Sequence, residues 1–336
     1  MKNKSVFFVV GLCLPLLLAG TCQPPPGPPD AGLYHTYGEI TTELQALQDQ
    51  FPGLARVVSL GESVEKRQIW AIKISDNVAA EENEAEVLFV GGHHAREWIA
   101  VDVPFLLAKY LLEHYQTSAE IKDLVDNGEI WIVPLLNPDG HQYSVTTNRL
   151  WRKNRRNNGD GTFGVDLNRN YSFQWGGAGS SGDTFSEIYR GPQPFSEPET
   201  QAIRDFAAQH QFRALLSYHN FSQLVLFPWG YTNAPAPDEG LLHQLASTMA
   251  DSIFNVHAKR YTPEQSSDLY LASGDATDWL YGTQTIPSFT IELRPTSSFP
   301  GFELPESEIQ PTFEENLPAA LFLIRWSENL TDVTTL

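Results

Sequence analysis

The sequence predicts an α/β domain in which one sheet is covered by helices on both faces, and three observations carry that prediction. Short β-branched or apolar runs bounded by turn residues recur at Val57-Val58, Ile69 to Ile74, Val87 to Val90 and Ile130 to Leu136, the pattern of strands. Between them lie longer amphipathic stretches, Ile99 to His114 and Ile121 to Val125. Strands that alternate with helices favour a layered α/β sheet over a sandwich or a bundle. A chain of 336 residues, 41% hydrophobic and 19% charged, is long enough to bury one large core in a single domain.

From the start of the chain, Lys2 and Lys4 precede an apolar stretch from Val6 to Leu18, followed by the small residues Ala19 and Gly20. This reads as an export signal over 1–22 and is short for a membrane span. Leu18-Ala19-Gly20-Thr21-Cys22 resembles the lipobox of bacterial lipoproteins, which leaves two destinations open. One is plain secretion into the medium or periplasm, and the other is attachment to the cell envelope through a lipid on Cys22. Both cysteines, Cys13 and Cys22, lie in this leader, so no disulfide is expected in the folded part. Residues 23–32 form a Pro-rich spacer, 33–328 the folded domain and 329–336 a tail.

Within the domain, Ile40, Leu44, Leu47 and Phe51 recur at helical spacing until Pro52-Gly53. From Asn137 to Pro198 the composition turns to Asn, Gly, Arg, Ser and aromatic residues with little periodicity, and so long an irregular stretch in a compact domain predicts function. Regular signals resume with a helix from Glu197 to Gln209, a strand from Ala214 to Tyr218 and a helix from Leu241 to Val256. A strand from Ser288 to Leu293 and a helix from Thr312 to Trp326 complete the chain. The net charge of -19 disfavours nucleic acid, whose binding needs a basic face. A monomer is expected.

The densest chemical signal is Gly91-Gly92-His93-His94-Ala95-Arg96-Glu97-Trp98, just past the strand Val87 to Val90. Polar groups at the C-terminal end of a strand sit where open α/β sheets bind ligands. His94 and Glu97 are close enough in sequence to aim an imidazole and a carboxylate at one point, and His219 follows another apolar strand. Three such donors and an open position suit catalytic zinc, with iron in a two-histidine, one-carboxylate set as the alternative metal.

Beyond these donors, further motifs appear: Leu150-Trp151-Arg152-Lys153-Asn154-Arg155, Gly164-Val165-Asp166-Leu167-Asn168-Arg169-Asn170, Ser217-Tyr218-His219-Asn220, Tyr270-Leu271-Ala272-Ser273-Gly274 and Phe289-Thr290-Ile291-Glu292-Leu293-Arg294. With His94 to Trp98, these resemble the motifs of carboxypeptidases A and B, in the family's order, over about Tyr34 to Trp326. The resemblance implies a mixed, largely parallel twisted sheet in a single domain, and hydrolysis of the C-terminal bond of peptides and proteins. It implies one zinc ion on His94, Glu97 and His219, Glu292 as general base and Arg152 stabilising the oxyanion. It places Asn168, Arg169 and Tyr270 on the substrate's terminal carboxylate, and Asp166 behind His94, accepting a hydrogen bond from it and fixing its tautomer. Arg96 and Phe221 would line the upstream subsites.

At the floor of the specificity pocket the resemblance places Thr277, where A-type enzymes carry an apolar residue and B-type enzymes an aspartate, and Asp275, where a small residue is usual. A carboxylate there implies release of both large apolar and basic residues, against the alternative that Asp275 caps a helix leading to Trp279. A cell-wall amidase is the competing enzyme reading, and a peptide-binding module without chemistry the competing class. Glu292 itself has a structural alternative, pairing with Arg294. His93, His114, His141 and His257 are expected to be structural or exposed. The relatives' long pro-domain and loop disulfide have no counterpart here, so an enzyme exported already active, or held in check by something outside this chain, is expected.

Overall fold

The computed structural model describes residues 32–330 apart from residue 81. The export signal, Cys22 and most of the spacer lie outside the described residues, as does the tail beyond 330. No helix among the described residues is long and apolar enough to cross a membrane.

The chain opens with α1 (Tyr37–Gln50), held at its start by a capping box between Thr36 and Glu39. An antiparallel pair, β1 (Ala55–Glu62) and β2 (Gln68–Ile74), leads to β3 (Ala85–Val90), α2 (Ile99–His114), α3 (Ala119–Asp126), β4 (Gly128–Val133) and α4 (Pro138–Thr146). After the long irregular stretch come α5 (Pro198–Ala207), β5 (Phe212–Asn220), β6 (Leu224–Phe227), α6 (Glu239–His257), β7 (Thr262–Gln265) and α7 (Ser266–Leu269). The chain finishes with α8 (Ala276–Gln284), β8 (Ser288–Leu293) and α9 (Ile309–Glu328). The strands form one 8-stranded sheet in the order β1-β2-β4-β3-β5-β8-β6-β7. Its centre, β4-β3-β5-β8, is parallel, while β1/β2, β2/β4 and β6/β8 are antiparallel. The predicted mixed, largely parallel sheet is the one observed.

Alternation along β3 divides the core. Val87 and Phe89 pack with the helices α1, α2, α3, α6 and α9 on one face, and Leu88 and Val90 with α5 and α8 on the other. Every residue of β3, β4 and β8 is buried, as strands covered on both faces require. The parallel centre matters for function, because β3, β5 and β8 end at one edge and deliver their following residues to one place.

Three departures have local causes. The strand predicted to run to Leu136 stops at Val133 because Pro134 cannot donate to a ladder. Inside the stretch read as irregular, α4 forms: the Asn137 side chain accepts from the Gly140 N–H, with Pro138 in the first turn. The edge strands β6 and β7, four residues each, are too short for an alternation signal.

Candidate active site

At the end of β3 the chain turns sharply. A Cβ on Gly91 would sit 2.1 Å from the Ala100 carbonyl oxygen, and Gly92 has φ +67° with Leu135 Cδ1 only 2.9 Å from where its Cβ would be. Only glycine fits this turn, and it presents His94 and Glu97 ahead of α2. His219 arrives from β5, one strand over. His94 Nδ1 lies 2.9 Å from Glu97 Oε1, His219 Nδ1 lies 3.0 Å from Glu97 Oε2, and the two Nδ1 atoms are 3.1 Å apart. All three residues are buried.

His94 Nε2 lies 3.2 Å from Asp166 Oδ1. With the proton on that nitrogen, the His94 Nδ1 lone pair faces the other two donors. Two imidazole lone pairs and a carboxylate converging on one point repel each other unless a cation lies between them. The donors lie within 4.8 Å of one another, and this two-histidine, one-carboxylate set fits zinc.

Asp166 is shared. Arg152 donates to its Oδ2 from Nε at 3.1 Å and Nη2 at 2.9 Å, while Arg152 Nη1 is 3.9 Å from Glu97. Burial works to raise the Asp166 pKa, but Arg152 and His94 hold it well below the usual carboxylate range. Glu97 is also held low against the effect of burial, by the neighbouring His94 and His219.

Glu292 stands in contrast. It pairs with His219 in the β5/β8 register, is buried, and faces the cleft. Burial, the largest cause, pushes its carboxyl up to about 8, with Glu97 adding to the rise and His219 opposing it. A cation on the neighbouring donors would pull it back down. The pairing with Arg294 does not form, since Arg294 is held by Glu315 and Glu308.

The cleft in front of these groups, about 510 Å³, is lined by Arg96, Arg152, Arg169, Phe221, Tyr270 and Glu292 among others. Arg169 donates to the Gly179 carbonyl at 2.8 Å and the Asn168 carbonyl at 2.6 Å, and its guanidinium lies 5.7 Å from the ring of Tyr270. Tyr270 is 49% exposed, the most open of these side chains. Arg96 stacks over Phe302 at 4.1 Å and lies 3.7 Å from Glu187, and Phe302 also meets Phe221 edge-on. Sequence reasoning missed Glu187 and Phe302. Both sit in irregular loops, where no periodicity or spacing marks them.

Asn168, Asp275 and Thr277, all predicted to meet the substrate, lie outside that lining. Asn168 accepts from the Ala276 N–H at 3.0 Å and ties α8 to the motif that carries Arg169. Asp275 caps α8: its Oδ1 accepts from the Asp278 N–H at 2.9 Å and from the Thr277 hydroxyl at 2.7 Å. Its Oδ2 is buried with no hydrogen-bond partner among the described residues. His93 is buried beside His219 and meets the Tyr171 hydroxyl at 3.0 Å, and burial drives its pKa well down. It is a neutral packing residue.

Comparison with known proteins agrees with this geometry. A family model described as zinc carboxypeptidase matches residues 40–319. Carboxypeptidase B of Astacus astacus is 38% identical over 84% of this chain and 93% of its own length. Carboxypeptidase A2 of Rattus norvegicus is also 38% identical, over 84% of this chain and 67% of its own. The bovine thrombin-activatable fibrinolysis inhibitor, solved in complex with a tick carboxypeptidase inhibitor, superposes with a TM-score of 0.81 at 33% identity, covering 88% of this chain and 97% of its own. The chain belongs to the zinc carboxypeptidase family.

Proposed function

We propose that the cleft is the active site, with His94, Glu97 and His219 holding the single zinc ion and Glu292 acting as general base. Zinc bound there supplies a Lewis acid and lowers the pKa of a water toward ~7. Glu292 takes a proton from the attacking water and passes it to the leaving amine. Its lack of any ion pair among the described residues supports this role, because a carboxylate already paired would be a poor base. Arg152, fixed by two hydrogen bonds to Asp166, carries positive charge to where the carbonyl oxygen becomes anionic. Arg169 offers a planar fork to the terminal carboxylate, with Asn168 behind it and Tyr270 free to close over the substrate. Arg96 and Phe221 contact residues upstream of the cleaved bond.

The released residue is large and apolar, or basic. The orphaned Oδ2 of Asp275 supports the basic half of that range. We also infer that the enzyme is exported, acts as a monomer, and either diffuses freely or is held by a lipid on Cys22. Mass spectrometry of the mature N-terminus separates the two fates, and an intact Met1 overturns both.

The observation that carries the mechanism is an unpaired buried glutamate beside the His94–Glu97–His219 cluster. Glu292→Gln keeps that cluster and is expected to retain zinc while losing ~10²–10⁴-fold or more in kcat. Near-normal turnover by a zinc-loaded variant overturns the assignment.

A further inference from the structure

A wall of the cleft is fastened by a lysine that the proposed chemistry leaves unused. Lys153 follows Arg152 in the basic motif, yet it is turned inward and only 4% exposed. Its ammonium donates to the Thr184 carbonyl at 3.0 Å and to the Ser186 carbonyl at 3.1 Å. Burial lowers its pKa from the ordinary lysine value, against the opposing effect of Glu187, Asp166, Asp183 and Asp160. Lysine head groups ordinarily stay in water, so this one depends on the two carbonyls to offset its desolvation.

The segment it holds, residues 181–189, is otherwise shaped mostly from within. The Phe185 and Ser186 N–H groups donate to Asp183, and the Ile188 N–H donates to the Ser186 hydroxyl. The Ser181 N–H closes the base of the loop on the Ile188 carbonyl at 2.9 Å, and the Asp166 N–H joins that base to the domain through the Tyr189 carbonyl at 2.8 Å. At the tip, Phe185 is 78% exposed and gives no apolar anchor. Asp160 accepts from the Thr184 hydroxyl at 2.7 Å, but Asp160 itself stands on an exposed turn. Lys153 is therefore the buried tie of the tip. Next to that tie, Glu187 and Ile188 line the cleft, and Glu187 lies 3.7 Å from Arg96.

We propose that Lys153 is a positioning residue for peptide binding: by gripping the Thr184 and Ser186 carbonyls it holds Glu187 and Ile188 against the substrate residues upstream of the cleaved bond. This role rests on the active site proposed for the cleft. The reacting groups are placed by other means, His94 and Glu97 by the turn after β3, His219 and Glu292 by β5 and β8, and Arg152 by Asp166, so a loosened loop leaves them where they are. A contact made equally with bound substrate and with the transition state changes KM and leaves kcat alone. A wall that meets only upstream residues matters only to substrates long enough to reach it. Lys153 thus sets the affinity for extended chain ends without entering the bond-breaking step.

The test compares the zinc-loaded parent with Lys153→Met on two substrates ending in Phe, a blocked dipeptide and a blocked pentapeptide. Lys153→Met should raise KM for the pentapeptide about tenfold, with kcat for both substrates and KM for the dipeptide within about twofold of the parent. Thr184→Val releases the same tip from Asp160 and should move the pentapeptide KM in the same direction by about threefold. It carries the test if Lys153→Met does not fold. A second readout needs no peptidase activity: chymotrypsin should cut after Phe185 about tenfold faster in Lys153→Met than in the parent, since cleavage follows the population of the opened loop. Mass spectrometry of the fragments identifies that cut. The proposal is overturned if the variant keeps the parent's ratio of the two KM values, if both substrates suffer equally, or if the cut after Phe185 is no faster. A zinc-loaded parent that hydrolyses neither substrate refutes the active site instead, and the chymotrypsin rates still decide whether Lys153 holds the loop.

Discussion

The two ends of the parallel strands both bury carboxylates, but they treat them in opposite ways. At the C-terminal end, Glu97 and Asp166 sit among His94, His219 and Arg152 and are held below the usual carboxylate range despite burial. At the N-terminal end, Glu84 is pushed up to about 7, first by burial and then by other acids. Burial alone therefore does not decide the state of an acid in this fold. The number of cationic partners does: His94, His219 and Arg152 surround the acids at the active-site end, whereas Glu84 sits mainly among other acids. Glu292 is the exception at the active-site end: an acid left without a partner beside charges that are fully matched.

Disturbing the matched end should cost most. Removing zinc with a chelator, or substituting His219→Ala, is expected to abolish hydrolysis, because the remaining donors no longer close around the ion. Peptidase assays before and after adding zinc check this, and full activity in a demonstrably metal-free preparation would break the comparison at its root. A smaller effect tests how far the matching extends. Asp166→Asn keeps the shape but weakens the tie to Arg152 and the acceptor for His94. Changes of this kind cost ~10–100-fold in metal affinity or activity. Competition with a zinc indicator measures the first and kcat the second, and an unchanged enzyme would show that Asp166 plays no part in fixing either group.

An acid with no cationic partner among the described residues sharpens the contrast further. Glu199 on α5 is 0% exposed, and it shares the Asn154 amide with Glu197, at 3.2 Å and 2.8 Å respectively. Burial above all pushes it up from 4.5 to about 8. Its folded pKa is raised, so the folded state holds a proton that the unfolded chain releases. The stability this contributes is complete below about pH 4.5 and is lost as pH rises toward about 8. Urea midpoints measured across that window should fall with pH, and Glu199→Gln should flatten the fall. An identical pH profile in the variant would show that Glu199 titrates as an ordinary surface acid.

What the sequence revealed of this fold follows from where periodic signals exist. Strands β3, β5 and β8 and helices α2 and α9 announce themselves because each is long and buries an unbroken apolar face. The residues His94, Glu97, Arg152, Asp166, Arg169, Tyr270 and Glu292 were legible through short motifs at the ends of those elements. The helix α4 was hidden by its composition, although Asn137-Pro138 is a start signal with a mechanism. Glu187 and Phe302 were not legible, since they reach the cleft through irregular loops whose path depends on tertiary contacts.

Asp275 combines both treatments in one side chain, and the smallest predicted effect concerns it. Its Oδ1 is satisfied by the first turn of α8, while its Oδ2 is buried with no partner among the described residues. Neighbouring Asp278 accepts from the Gly230 and Tyr231 N–H groups, and burial, then Asp275, drive its pKa well above the carboxylate range. The orphaned Oδ2 offers an acceptor for a basic substrate side chain to meet. If the orphaned oxygen serves that purpose, Asp275→Ala should lower kcat/KM for C-terminal Arg about tenfold relative to C-terminal Phe, the equivalent of ~1.4 kcal/mol. It should also cost ~1 kcal/mol of stability through the lost cap. Asp275→Asn separates the two effects, because an asparagine still caps the helix but carries no charge. A ratio that falls in both variants, with stability lost only in the alanine one, assigns selectivity to the charge. A ratio unchanged in both, with the alanine variant less stable, makes Asp275 a helix cap alone and leaves the preference for basic residues without a structural source.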